Sequence, residues 1–87
     1  MSIKPIATLT GHITKAPKRV ESRTGKVMAV ATILASRDKR SDYPLRVVAF
    51  DMLALELILC LLGQKITVNG RPAYWDGYQV TASYISI

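Results

Sequence analysis

Between Asp51 and Gly63 the chain reads DMLALELILCLLG, and ten of the eleven residues from Met52 to Leu62 are apolar. Such a run must be buried against something. It is too short for a membrane anchor, because a spanning helix needs about 20 apolar residues, and Glu56 interrupts even this one. Leu, Ala, Met and Glu are strong helix formers, Asp51 stands where an N-cap would and Gly63 where a C′ residue would, so a helix of roughly 11 residues is expected. LELILCLL alone would also suit a buried strand, and the capping at both ends decides for helix. Met52, Leu53, Leu55, Leu57, Ile58, Leu59, Leu61 and Leu62 cover nearly the whole helix circumference, so packing on one side leaves a second apolar surface for another subunit to cover.

The remainder reads as strands. Residues 3–14, IKPIATLTGHIT, alternate in part, with Gly11 marking a bulge or bend. KAPKRVESRTGK (15–26) is punctuated by Pro17 and Thr24-Gly25 and reads as a basic hairpin connection. VMAVATILA (27–35) is β-branched and almost wholly apolar, so both faces should be covered. SRDKRSDYP (36–44) should be an exposed loop, LRVVAF a third strand and QKITVNGRPA a fourth. In YWDGYQVTASYISI, Asp76-Gly77 is a hairpin signal leading to the last strand. An all-β chain of five strands with one helix between the third and fourth has the element order of the OB-fold barrel, as a single domain over residues 1–87.

A domain of this size buries only about 60% of the surface its unfolded chain exposes. One cysteine, Cys60, cannot form an internal disulfide, and with one histidine it cannot build a zinc site, so oligomerisation is the remaining route to stability. Cys60 lies in the apolar run and reads as an inert small hydrophobe. The N-terminus MSIKPIATLT lacks the pattern of a secretory signal, which makes the cytoplasm the expected location.

Net charge is +6, and nine basic residues fall within 32 positions: Lys15, Lys18, Arg19, Arg23, Lys26, Arg37, Lys39, Arg40 and Arg46. Such a cluster suits nucleic acid or an acidic lipid surface, or it is a solvated face that keeps the protein soluble. Catalysis finds no support. His12 is the sole histidine and no GxGxxG, P-loop, HExxH or nucleophile-elbow motif occurs. Asp42, Asp51 and Asp76 could be imagined as a metal cluster, but Asp51 is better used as a cap and Asp76 in a turn. No metal or cofactor is expected.

Three stretches in order resemble the bacterial single-stranded DNA-binding protein family, which includes the primosomal replication protein sharing its fold: LTGHITKAPKRVESRTGK, RVVAFDMLA and LLGQKITVNGR. The resemblance implies a non-catalytic oligomer, dimeric or tetrameric, that binds single-stranded DNA, with replication proteins as further partners and no membrane. It also implies that Phe50 stacks on a base, where the residue by itself would sooner suit a core, and that Arg46 and Arg71 meet phosphates. Tyr74, Trp75 and Tyr78 flank the Asp76-Gly77 turn and are candidates for base stacking, or else cap the barrel or pack on a neighbour. Tyr43 precedes the third strand one residue earlier than the family's usual tryptophan, and Tyr84 reads as structural. The shorter loops and the lack of a glycine-rich, acidic-tipped tail depart from the family and point toward an accessory, plasmid, phage or primosomal type. Two other readings stay open: an RNA-binding barrel, and an interaction module that uses the apolar helix and the aromatic hairpin.

Overall fold

The computed structural model describes residues 7–37, 40–74 and 77–87, without the side chains of Arg37 and Arg40. Five strands, β1 (Ala7–Glu21), β2 (Val27–Arg37), β3 (Arg40–Phe50), β4 (Lys65–Tyr74) and β5 (Tyr78–Ser86), form a closed barrel in the order β1-β2-β3-β5-β4. One helix, α1 (Asp51–Ile58), stands between β3 and β4. This is the OB-fold barrel. Neighbouring strands pair antiparallel, except that β3 and β5 pair in parallel through Arg46↔Gln79, Val47↔Val80 and Val48↔Thr81.

Alternation along the strands fills the interior. Ile13 from β1, Ala29, Ala31, Ile33 and Ala35 from β2, Leu45, Val47 and Ala49 from β3, Ile66 and Val68 from β4, and Val80 from β5 are all buried. Helix α1 closes one end, inserting Ala54 and Leu57 at i and i+3, with Leu53 and Ile58 packed beside them. The alanines of β2 and β3 leave room for that plug.

Several boundaries differ from the sequence reading. The basic stretch after Lys15 continues as strand to Glu21, and only 22–26 make the turn, with the Ser22 hydroxyl donating to the Lys26 carbonyl at 3.0 Å. Register shifts between Ile13 and Lys15 and between Lys15 and Lys18 absorb the irregularity, and Pro17 falls inside the second, where its missing N–H removes no ladder bond. The bulges lie there: at Gly11 the pairing with β4 runs without a break and the pairing with β2 begins. Gly11 serves close approach instead: a Cβ there would collide with the backbone of Leu34, and one at Gly70 with the backbone of Thr81.

Residues 36–44 are likewise not one long loop. β2 runs to Arg37 and β3 starts at Arg40, so strand occupies most of that segment. Pro44 pairs opposite Leu34, before the start of the β3–β5 contact at Arg46, so it sits under the edge condition in which strands tolerate proline. A further shift between Asn69 and Gly70 makes Ser83 the extra residue of β5, its hydroxyl donating to the Asn69 carbonyl at 3.1 Å. That extra residue turns Tyr84 outward to 59% exposure and Ile85 inward, so Tyr84 is a surface side chain and not the structural one expected.

The helix is eight residues long, shorter than its apolar run. Phe50, in extended conformation, is the N-cap and makes no side-chain cap bond. Asp51 is not the cap but the first helical residue, at φ 55, a conformation that aspartate tolerates better than most residues, and its charge suits the helix N-terminus. At the other end Leu59, not the residue before Gly63, is the C-cap. The backbone then turns back to β1, with Gly63 N–H donating to Ile13 O at 2.7 Å and the Gln64 side-chain carbonyl accepting from Leu61 N–H at 2.8 Å. Those bonds claim the groups that further helix would have used. Cys60 is buried, with its thiol 3.5 Å from the Glu56 carbonyl; burial first, and then the Glu56 charge, push its pKa up, as suits an unreactive thiol.

Leu57→Ala should cost about 2–5 kcal/mol, a large share of the stability of so small a domain, and lower the urea midpoint accordingly. Gly70→Ala should cost about 1–3 kcal/mol in the same assay, because the added methyl meets strand backbone that cannot move aside cheaply.

Candidate nucleic-acid interface

The outward face of β2 and β3 carries a second set of alternating residues. Met28, Val30 and Thr32 stand opposite Phe50, Val48 and Arg46. On the other side of β2, Val20, Lys18 and Lys15 of β1 pair with the same three residues. The parallel contact adds Gln79 beside Arg46 and Thr81 beside Val48. Three rungs result: Lys15–Thr32–Arg46–Gln79, then Lys18–Val30–Val48–Thr81, then Val20–Met28–Phe50.

These residues line one open groove of about 560 Å³, within the range of about 300–1,000 Å³ typical of ligand sites. Its floor is apolar and its flanks carry the positive charge of Lys15, Lys18 and Arg46. Phe50 closes the end nearest α1, with about a third of its surface exposed, and is therefore not a core aromatic. Beyond the Lys15 and Arg46 rung a smaller recess of about 200 Å³ continues past Thr32 and Pro44 to Tyr78. There Tyr78 meets Tyr43 edge-on at 5.9 Å and Tyr74 at 5.2 Å, giving a cluster of three rings. Tyr74 and Tyr78 are mostly exposed, whereas Tyr43 is half-buried against the core. One track thus runs from Phe50 across the basic rung to the tyrosines.

Not every candidate joins it. Arg19 pairs opposite Ala29, on the other face of the β1–β2 ribbon from Lys18, and with Lys26 it borders a small recess at the hairpin end. Arg23 is exposed in the turn. Arg71 is exposed on β4 and pairs with Thr81, one strand beyond the groove. Arg37 and Arg40 pair with each other through their backbones where β2 meets β3. Lys39, Trp75 and Asp76 lie outside the described residues. No group of three His, Cys, Asp or Glu side chains is placed to hold a metal among the described residues.

The groove floor is the part that the sequence reading does not single out. VMAVATILA reads as a strand with both faces covered, yet only its Ala29, Ala31 and Ile33 face is enclosed, while Met28 and Val30 join Val48 in the floor. A signal exists in the spacing: Arg46, Val48 and Phe50 alternate with Leu45, Val47 and Ala49, and the even-numbered set contains the charge and the ring.

No family model matches the sequence, and no curated protein matches it. Solved structures do. The single-stranded DNA-binding domain of a Synechococcus protein superposes with a TM-score of 0.86 over 100% of this chain and 99% of its own, at 18% identity. The second single-stranded DNA-binding protein of Mycobacterium smegmatis gives 0.81 at 17% identity, covering 97% of this chain and 88% of its own. The dimeric N-terminal domain of PriB from Thermoanaerobacter tencongensis gives 0.74 at 17% identity, covering 93% and 92%. This chain therefore has the barrel fold of the bacterial single-stranded DNA-binding proteins and of PriB.

Proposed function

We propose that this chain binds single-stranded DNA without catalysis, in replication, recombination or primosome assembly. The observation that carries the reading is the convergence of Phe50, Arg46, Lys15 and Lys18 on one concave surface. A ring at the end of an apolar floor offers a face on which any base can stack, at about 1–3 kcal/mol per base, while flanking cations meet the phosphates and release counterions. Duplex DNA hides its base faces in the stack and has little use for such a site. The Tyr78 cluster would extend the stacking surface past Arg46, and Trp75 is a further candidate for base stacking. Arg71, Arg19, Arg23, Lys26, Arg37, Lys39 and Arg40 would add general attraction for the strand. The similar solved structures include proteins named for single-stranded DNA binding, which supports this reading over an RNA-binding barrel. Among the described residues no helix is long and apolar enough to cross a membrane.

Titration of a labelled oligothymidine by fluorescence anisotropy tests it. Wild type should bind the single strand far more tightly than duplex of the same length; equal affinity for both would remove the stacking mechanism. Phe50→Ala should weaken binding by about 1–3 kcal/mol with the fold intact. Arg46→Ala should also flatten the plot of log affinity against log salt by about 0.7, the share of one phosphate on a single strand. Arg19→Ala, on the far face of the ribbon, should change the slope less than Arg46→Ala does.

A further inference from the structure

The groove changes character along its length. Its first rung, Lys15–Thr32–Arg46–Gln79, is polar and charged, whereas its last, Val20–Met28–Phe50, is apolar throughout. Stacking belongs at the apolar end, on the Phe50 ring, and Met28 is the residue paired with Phe50 across β2 and β3. Directly opposed residues on one face of a sheet have Cβ atoms about 4.5–5.5 Å apart, which brings a flexible thioether to the distance at which sulfur and an aromatic ring attract. Met28 is half-buried and open to the groove, and among the described residues lining it Met28 alone carries an oxidisable sulfur.

We infer that Met28 is an oxidation site through which peroxide weakens strand binding, an inference that rests on the single-strand reading above. The Sδ lone pair attacks one oxygen of hydrogen peroxide, and the S–O bond forms as the O–O bond breaks. The departing hydroxide takes the proton of the transferred OH and leaves as water. Sulfur is thereby oxidised to the sulfoxide and the peroxide is reduced. The product is a polar, chiral group where a flexible apolar one stood. No side chain of the Val20–Met28–Phe50 rung can donate to the new oxygen, so a base stacking there has to strip water from it without supplying a replacement bond. The change is reversible by reductases that pass the oxygen to a dithiol, giving a disulfide and water.

A strand lying on the floor covers Met28, so protein holding DNA resists the oxidant while free protein does not. Met52 supplies the contrast. It sits on α1 at 72% exposure and does not line the groove. Exposure alone would make Met52 the faster of the two to react, yet only the modification of Met28 should alter binding.

The full chain treated with hydrogen peroxide, with and without saturating oligothymidine, tests this. Peptide mass spectrometry follows each methionine, fluorescence anisotropy follows the affinity for labelled oligothymidine, and circular dichroism follows the fold. Bound oligothymidine should slow oxidation of Met28 several-fold and leave that of Met52 unchanged. In the free protein the loss of affinity should track conversion of Met28 and reach about fivefold or more, the share of one stacked base, with an unchanged circular dichroism spectrum. Met52→Leu should lose affinity as wild type does, and Met28→Leu, compared with itself before and after peroxide, should lose none. Full conversion of Met28 with affinity intact would overturn the inference. So would a loss that tracks Met52, that persists in Met28→Leu, or that comes with a changed spectrum. Wild type that binds no single strand before peroxide would instead remove the groove reading itself, and the untreated sample tells the two failures apart.

Discussion

Three parallel pairs, Arg46–Val48 against Gln79–Thr81, close the barrel, and the groove depends on that closure as much as the core does. They seal Val47 and Val80 inside and, by the same alternation, set Arg46 and Val48 beside Gln79 and Thr81 outside. Since a one-residue slip exchanges the two faces of a strand, the apolar demand of the core fixes the placement of the outer residues. The groove is thus held in register by burial on the opposite side of the same strands.

Bulges extend this control. By strict alternation from the buried Ile13, Lys15 would point into the barrel; the extra residue before it turns the side chain to the outer face beside Thr32. The second irregularity, around Pro17, brings Lys18 to that face in turn and sends Arg19 to the other. Ser83 does for β5 what these do for β1, exposing Tyr84 and burying Ile85. Each is a local break in the ladder that decides which side chain meets solvent.

Phe50 stands where the groove and the helix meet. Its ring ends the groove and its backbone starts the helix, with Asp51 at positive φ making the sharp change of direction between them. The apolar run of the helix has a divided fate: Ala54, Leu57 and Cys60 fill the barrel end, while Met52, Leu55 and Leu59 face outward.

The order of elements, the barrel, the plug helix and the basic character of the chain were legible in the sequence, because they follow from hydrophobic period, turn residues and charge, all local quantities. Arg46 and Phe50 were singled out through the resemblance to family motifs and not through any local pattern, and they line the same groove. What the tertiary structure alone decided was membership of the groove: that Lys18 belongs and Arg19 does not, that Met28, Val30 and Val48 form its floor, and that the helix stops at Ile58. These turn on bulge positions, on pairing between strands distant in sequence, and on the bonds from the turn after α1 back to β1. Such interactions link residues far apart in the chain, and no local pattern of residue types encodes their register.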